Sequence, residues 1–318
     1  MVGNGVNGSG CRIFLRKALR KLMARFMVRE LGFPVSILEG NLEEAYLNRV
    51  VEWTRSSSLT HTVLLAQDWV RDASGNPIEL ESALYVPNRV VLDIAQQHSC
   101  ILAACSIHPA RPDALDELQM CHERGAVMMK CLPLHHRIDP REKRFEPFWR
   151  KMAELRMPLL AHTGGELSLP NNAPELADPR ILIPVLEQGV TVIAAHAGTS
   201  GHYFDTNYMT ETAEMLRKYP NLYVDNSGMN TPIRSRHFKR FLGSEFTGRI
   251  LHGSDLPIGI SPLWVRMRGF ISHDGYKSAR AEKNLLERDV LIKKALGFSD
   301  ETFTLLGKLL NVRQTASV

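Results

Sequence analysis

The chain has 318 residues, with 39 basic and 34 acidic side chains and a net charge of +5. Hydrophobic residues make up 44% and charged residues 23%, an ordinary globular composition that excludes a disordered chain. No apolar run approaches the ~20 residues needed to cross a bilayer, so no integral membrane association is expected.

Residues 1–10, MVGNGVNGSG, offer few side chains to pack and read as a loop. Over residues 12–31 apolar residues recur at helical spacing (Leu15, Leu19, Leu22, Phe26), ending at Gly32-Phe33-Pro34. Seven basic residues and no acid fall within residues 1–29; removing them from the net of +5 leaves −2. The positive charge is therefore local and gives no general case for a nucleic-acid partner. Such a basic amphipathic helix suits a membrane surface or a transit peptide, and equally a helix decorating a globular domain. Asn41 then caps a second helix, with Glu43 and Glu44 placed to meet the positive end of its dipole.

An alternation follows. Short Val/Ile/Leu-rich runs at 61–67, 101–107, 126–131, 158–162, 190–196, 221–225 and 249–255 predict strands. Helical segments are predicted at 87–98, 112–124, 145–156, 179–188, 208–218 and 234–242, with closing helices over 265–318. Near-continuous apolar strands alternating with amphipathic helices describe a parallel sheet buried on both faces, within one domain spanning 1–318. The first crossover lacks a GxGxxG fingerprint, and polar residues stand at several strand ends, which favours a (β/α)8 barrel over a doubly wound sheet. Seven strands are counted where a barrel needs eight; the deficit lies ahead of the loop at residue 1, so residues 1–58 read as a loop and helices after a missing first strand.

Three of those strand ends carry chemistry: His162 in PLLAHTGGE, His196 in VIAAHAG and Asp255 in ILHGSDLP. In a parallel barrel they share one rim, and two imidazoles with a carboxylate suit a divalent cation, Zn²⁺ first and Mn²⁺ second. Asp255 could also take the proton of metal-bound water. Asp225 closes a strand and could hold a neighbouring group by hydrogen bonding. Arg111 and His108 lie on rim loops and are candidates for contacting substrate, with surface or turn-ordering roles as their alternatives. His252 reads as a packed histidine rather than a ligand. The five cysteines (Cys11, Cys100, Cys105, Cys121, Cys131) show no CxxC spacing, which predicts free thiols and a cytoplasmic location.

Taken in order, GAVMMKCLP, MPLLAHTGGE, VIAAHAG, NLYVDNSG and ILHGSDLP resemble the amidohydrolase superfamily, in the branch of amidohydrolase-related and aminocarboxymuconate-semialdehyde-decarboxylase-like enzymes. The resemblance runs from the first residues to about Pro262. It implies that His162 is a metal ligand, that His196 is an acid/base or ligand, and that Asp255 is a ligand or catalytic base. Lys130 matches the family's GxK position, as a cation contacting an acidic substrate group or as a carbamylated metal bridge. The family's His-x-His strand is absent, and the chain opens on the loop that often follows it. Either the recorded start is too late, which we favour, or a strand and half the metal site have been lost. The chain as given is then expected to hold metal poorly and to leave sheet edges open. The implied activity is metal-dependent hydrolysis of a small carbonyl, amide or ester substrate. The alternatives are a decarboxylase of an unsaturated acid and a non-catalytic barrel. A homodimer is compatible with all three.

Overall fold

A computed structural model describes residues 2–4, 9–14 and 18–311. The predicted helix position Leu15, the loop positions 5–8 and the tail 312–318 lie outside the described residues.

Among the described residues the strands are β1 (Val2–Asn4), β2 (Arg12–Phe14), β3 (Thr62–Leu65), β4 (Leu84–Tyr85), β5 (Ile101–Cys105), β6 (Ala126–Cys131), β7 (Leu159–His162), β8 (Val192–Ala195), β9 (Leu222–Asp225) and β10 (Ile250–Leu251). Seven of them form one parallel sheet in the order β10-β9-β8-β7-β6-β5-β3. Each of the seven coincides with a strand expected from the sequence. β1, β2 and β4 make a separate three-stranded antiparallel sheet. That sheet corrects two expectations. Val2–Asn4 is strand rather than loop, because it pairs with Arg12–Phe14, and the helix begins only at Ala18. Helical spacing of apolar residues cannot reveal a three-residue strand whose stability comes from pairing.

Helix α1 (Ala18–Glu30) and helix α2 (Leu42–Arg55) follow. Asn41 Oδ1 accepts from the Glu44 amide at 3.3 Å at the start of α2, satisfying an amide that has no partner within the helix. Four helices close the described chain: Leu263–Met267, His273–Ala281, Leu285–Leu296 and Asp300–Leu309. None of the described helices is long and apolar enough to cross a membrane.

Side-chain alternation explains where the chemistry ends up. On one face of the sheet Ala103, Met129, Leu159, Ala161, Val192, Ala194, Leu222, Val224 and Ile250 join the main core under the helices. On the other face Ala104, Met128, Ile193 and Leu251 pack with Val63, Leu160 and Tyr223 against Leu305, Leu306 and Leu309 of the last helix. That helix also takes up the edge of β10, since the His252 amide donates to Thr302 O at 3.0 Å. The expected open edge beside β10 is thus partly covered. Lys130, His162 and Asp225 fall in phase with this second face, two residues beyond Met128, Leu160 and Tyr223. The apolar interior therefore becomes polar at the strands' C-terminal ends, where a barrel-type sheet assembles a site.

Candidate active site

His196 follows β8 in a left-handed backbone conformation (φ 64°), as does Asp255 after β10 (φ 63°). A non-glycine residue at positive φ is strained, and it persists where surrounding bonds over-determine it. For His196 those bonds come from Asp225. Its Oδ1 accepts from the His196 amide at 2.9 Å, the Ser227 amide at 3.0 Å and Ser227 Oγ at 2.6 Å. This is the positioning role expected of Asp225. Nδ1 of His196 lies 2.7 Å from Ser227 O. A carbonyl only accepts, so Nδ1 carries the proton and Nε2 is left as a lone pair. That Nε2 faces Asp255 Oδ2 at 4.0 Å.

Gly228 (φ 63°) shows how tightly the groups converge. A Cβ placed there would sit 2.7 Å from Asp255 Oδ2, 3.2 Å from Arg234 Nη1 and 3.3 Å from His196 Cε1. The His162 ring stands edge-on to that of His196, with centroids 4.9 Å apart. Nδ1 of His162 is 3.6 Å from Glu166 Oε2. Arg234 donates from Nη2 to Gly165 O. Lys130 is buried and has no hydrogen-bond or ion-pair partner among the described residues.

Burial pushes the Asp255 carboxyl up to about 7, against the pull of Lys130 and Arg234. Burial also pushes His162 down to about 3, Arg234 and Lys130 adding to it and Glu166 opposing. His196 is held well below its ordinary value by burial and then by Arg234. Near neutral pH the site thus pairs uncharged imidazoles with a carboxyl poised to give or take a proton.

The rim opens into a cleft of about 970 Å³ lined by Asp255, Arg234, Glu166 and Gly228. Of the residues expected from sequence, the structure brings His162, His196, Asp255, Lys130 and Asp225 together at the rim. Of all the expected residues Asp255 lines this cleft, whereas Lys130, His162, His196, Asp225, His108 and Arg111 are not among its lining side chains. His108 is buried, its ring set between the Ala110 amide and His136 O, each at 3.1 Å. The Arg111 guanidinium is taken up by Asp113 (2.6 Å), Asp68 (3.6 Å) and Glu117 (3.6 Å), beside a second cavity of about 470 Å³. A guanidinium tied to three carboxylates has little left for a substrate. Arg234 and Glu166 were missed. Glu166 stands inside the HTGGE segment, and Arg234 follows the rim loop that begins at DNSG, so position after a strand end was the available signal.

As placed, the donor set does not make a tetrahedral zinc site. Two zinc donors ~2.1 Å from the ion at a tetrahedral angle lie about 3.4 Å apart; His196 Nε2 and Asp255 Oδ2 are 4.0 Å apart. His162 turns its nitrogens towards Gly165 O (3.3 Å) and Glu166 (3.6 Å). Among the described residues no group of three or more His, Cys, Asp or Glu is arranged to hold a metal ion.

A model of the family described as Amidohydrolase matches residues 57–269. No curated protein matches the chain. Among solved structures, an uncharacterized TIM-barrel protein from Bordetella bronchiseptica is 18% identical over 92% of each chain, with a TM-score of 0.58. A probable 2-pyrone-4,6-dicarboxylic acid hydrolase from Acinetobacter baumannii is 16% identical over 83% of this chain and 88% of that one, with a TM-score of 0.51. A 2,6-dihydroxybenzoate decarboxylase from Rhizobium is 13% identical over 82% and 87%, with a TM-score of 0.52. At these identities the likeness is one of fold.

Proposed function

The chain belongs to the amidohydrolase family, and from that premise and the rim geometry we propose that it hydrolyses a small carbonyl substrate, an ester or amide bearing an acidic group. The observation that carries this reading is the convergence of Asp255, Arg234 and His196 on the single point marked by Gly228. Water between His196 Nε2 and the substrate gives its proton to the nitrogen lone pair as its oxygen bonds to the carbonyl carbon. Asp255, raised to about 7 and so partly protonated at neutral pH, donates to the departing oxygen or nitrogen as that bond breaks. Proton return from His196 to Asp255 across the 4.0 Å gap, through water, resets the pair. Lys130 and Arg234 hold the substrate's anionic group and the oxyanion that develops.

Family members generally bind a divalent metal, with zinc expected first and manganese second from the sequence resemblance. Because the described donors do not form that site, the steps above are assigned to side chains alone. Chelator-treated protein of measured metal content is therefore expected to retain ester hydrolysis, and Asp255→Asn to lose at least ~10²-fold in kcat/KM. Activity abolished by chelation and restored by zinc would overturn the assignment.

A second reading rests on the Asp255 carboxyl, raised to about 7, standing beside two cations. With a substrate carboxylate held by those cations, the same proton could go to carbon as CO₂ departs. Release of CO₂ in place of an alcohol or amine product separates the two.

A further inference from the structure

Helix α1 exposes two large apolar side chains, Leu22 at 64% and Phe26 at 57%, and both line the cleft that ends at Asp255. Trp264 and Ile258 line the same cleft. Phe26 reaches the loop after Asp255, for its Cε1 would lie 3.5 Å from a Cβ on Gly259. Apolar side chains left open to water around a cavity of about 970 Å³ mark a binding site for a largely apolar ligand. The lining also carries Glu30, Arg280 and Arg288; at the Asp255 end the free donor is the Arg234 guanidinium. Arg234 uses Nη2 on Gly165 O, while Nη1 points at the Gly228 position. Glu166, the other charged group there, is engaged by the Ser168 and Leu169 amides through one oxygen and faces His162 with the other.

We propose that the cleft selects an amphiphilic monoanion, a carboxylate head on Arg234 with an alkyl or aryl body lying along α1 between Phe26 and Trp264. The proposal rests on the Asp255 rim being the catalytic centre, and it names the substrate class that the rim acts on. It also gives the basic amphipathic helix a purpose: its apolar face forms one wall of the substrate cleft.

The test is a fluorescence titration of the full chain, read at Trp264, with straight-chain carboxylates from butanoate to decanoate and with the matching primary alcohols. Trp264→Phe identifies the signal. Burial of each added methylene predicts a Kd falling about fourfold per carbon. Carboxylates should bind at least ~10-fold more tightly than alcohols of equal length, as expected for a charge-assisted hydrogen bond. Arg234→Gln should erase that difference, and Arg234→Lys should keep most of it, which guards against a variant that merely misfolds. Phe26→Asp, at an exposed position, should weaken decanoate far more than butanoate. A Kd that is flat along the series, or alcohols binding as well as acids, would overturn the proposal. The predicted slope in a chain inert towards every ester would sink the hydrolytic reading and leave this one standing; ester turnover without the slope would do the reverse.

Discussion

Lys293 and Asp289 form an ion pair deep under the site. Nζ lies 2.6 Å from Asp289 Oδ2, and both side chains are 0% exposed. Nζ also donates to Gly253 O at 2.7 Å, two residues before Asp255, and Asn230 donates to the other oxygen of Asp289. The pair therefore ties helix Leu285–Leu296 to both loops that meet at Gly228. Burial pushes Asp289 up to about 6 even with Lys293 beside it. In Lys293→Met the carboxyl loses that counter-charge and takes up a proton in the folded state. Against the wild-type value of about 6, a shift to above 7 costs about 1.4 kcal/mol at pH 7, and the orphaned Gly253 carbonyl adds ~1–3 kcal/mol, roughly 2–4 kcal/mol together. This overlaps the ~3–5 kcal/mol typical of a buried pair broken on one side. The sign follows from the raised folded pKa: the charge-dependent part of the loss is full above ~pH 7 and shrinks as pH falls below about 6, where the wild-type carboxyl is protonated too. At that limit only the orphaned Gly253 carbonyl remains, at ~1–3 kcal/mol. Urea unfolding followed by circular dichroism at pH 7 and pH 5 measures both values. Lys293→Met with Asp289→Leu should recover at least ~2 kcal/mol relative to the single variant, because no charge is then stranded. A single-variant loss below ~1 kcal/mol at pH 7, or strict additivity in the double variant, would refute the reasoning.

Acid should destabilise the fold well before its exposed carboxylates titrate. Burial holds His108 at about 4, His162 at about 3, and His136 and His196 well below their ordinary value. Groups kept neutral in this way stabilise fully above ~6.5, and that contribution is lost as pH falls towards 4. Asp255 at about 7 and Asp289 at about 6 act in the opposite sense over the same window, but His135, His237 and His252 are lowered by burial as well, so the two carboxyls stand against seven imidazoles. The melting temperature should therefore fall between pH 6.5 and 4.5, and a flat or rising profile would count against the burial of these imidazoles. Gly164→Ala and Gly189→Ala form a matched pair, with φ of 79° and 86°. A Cβ at Gly164 would lie 2.2 Å from Thr199 O, whereas at Gly189 nothing lies within 4 Å. Gly189→Ala should cost ~1–2 kcal/mol for the left-handed conformation alone, and Gly164→Ala at least ~2 kcal/mol more; equal losses in chemical denaturation would contradict the described approach of the two loops.

The parallel sheet was legible because buried strands announce themselves as continuous apolar runs, and VIAAH or LLAHT can hardly be anything else. His162, His196, Asp255, Lys130 and Asp225 were legible for a related reason. A polar residue ending such a run must face either the core or the rim. β1, β2 and β4 were not legible, since Arg12–Phe14 is strand only by virtue of its partners. Arg234 was hidden within a helical stretch, and its value comes from Gly228 and Gly165 approaching it across the rim. Arg111 carried a misleading signal. Its loop position suggested a substrate contact, but Asp113, two residues on, takes the guanidinium at 2.6 Å, and Asp68, remote in sequence, stands at 3.6 Å. The choice of zinc over manganese followed from residue types, which do not encode the distances that set coordination.

Gly228→Ala puts the central claim to the most direct test, since a single methyl would occupy the point where Asp255, Arg234 and His196 meet. With circular dichroism confirming a folded chain, kcat/KM for ester hydrolysis should drop by at least ~10²-fold through displacement of the reacting groups. A folded Gly228→Ala protein with wild-type turnover would contradict the account, because the chemistry would then lie elsewhere in the molecule.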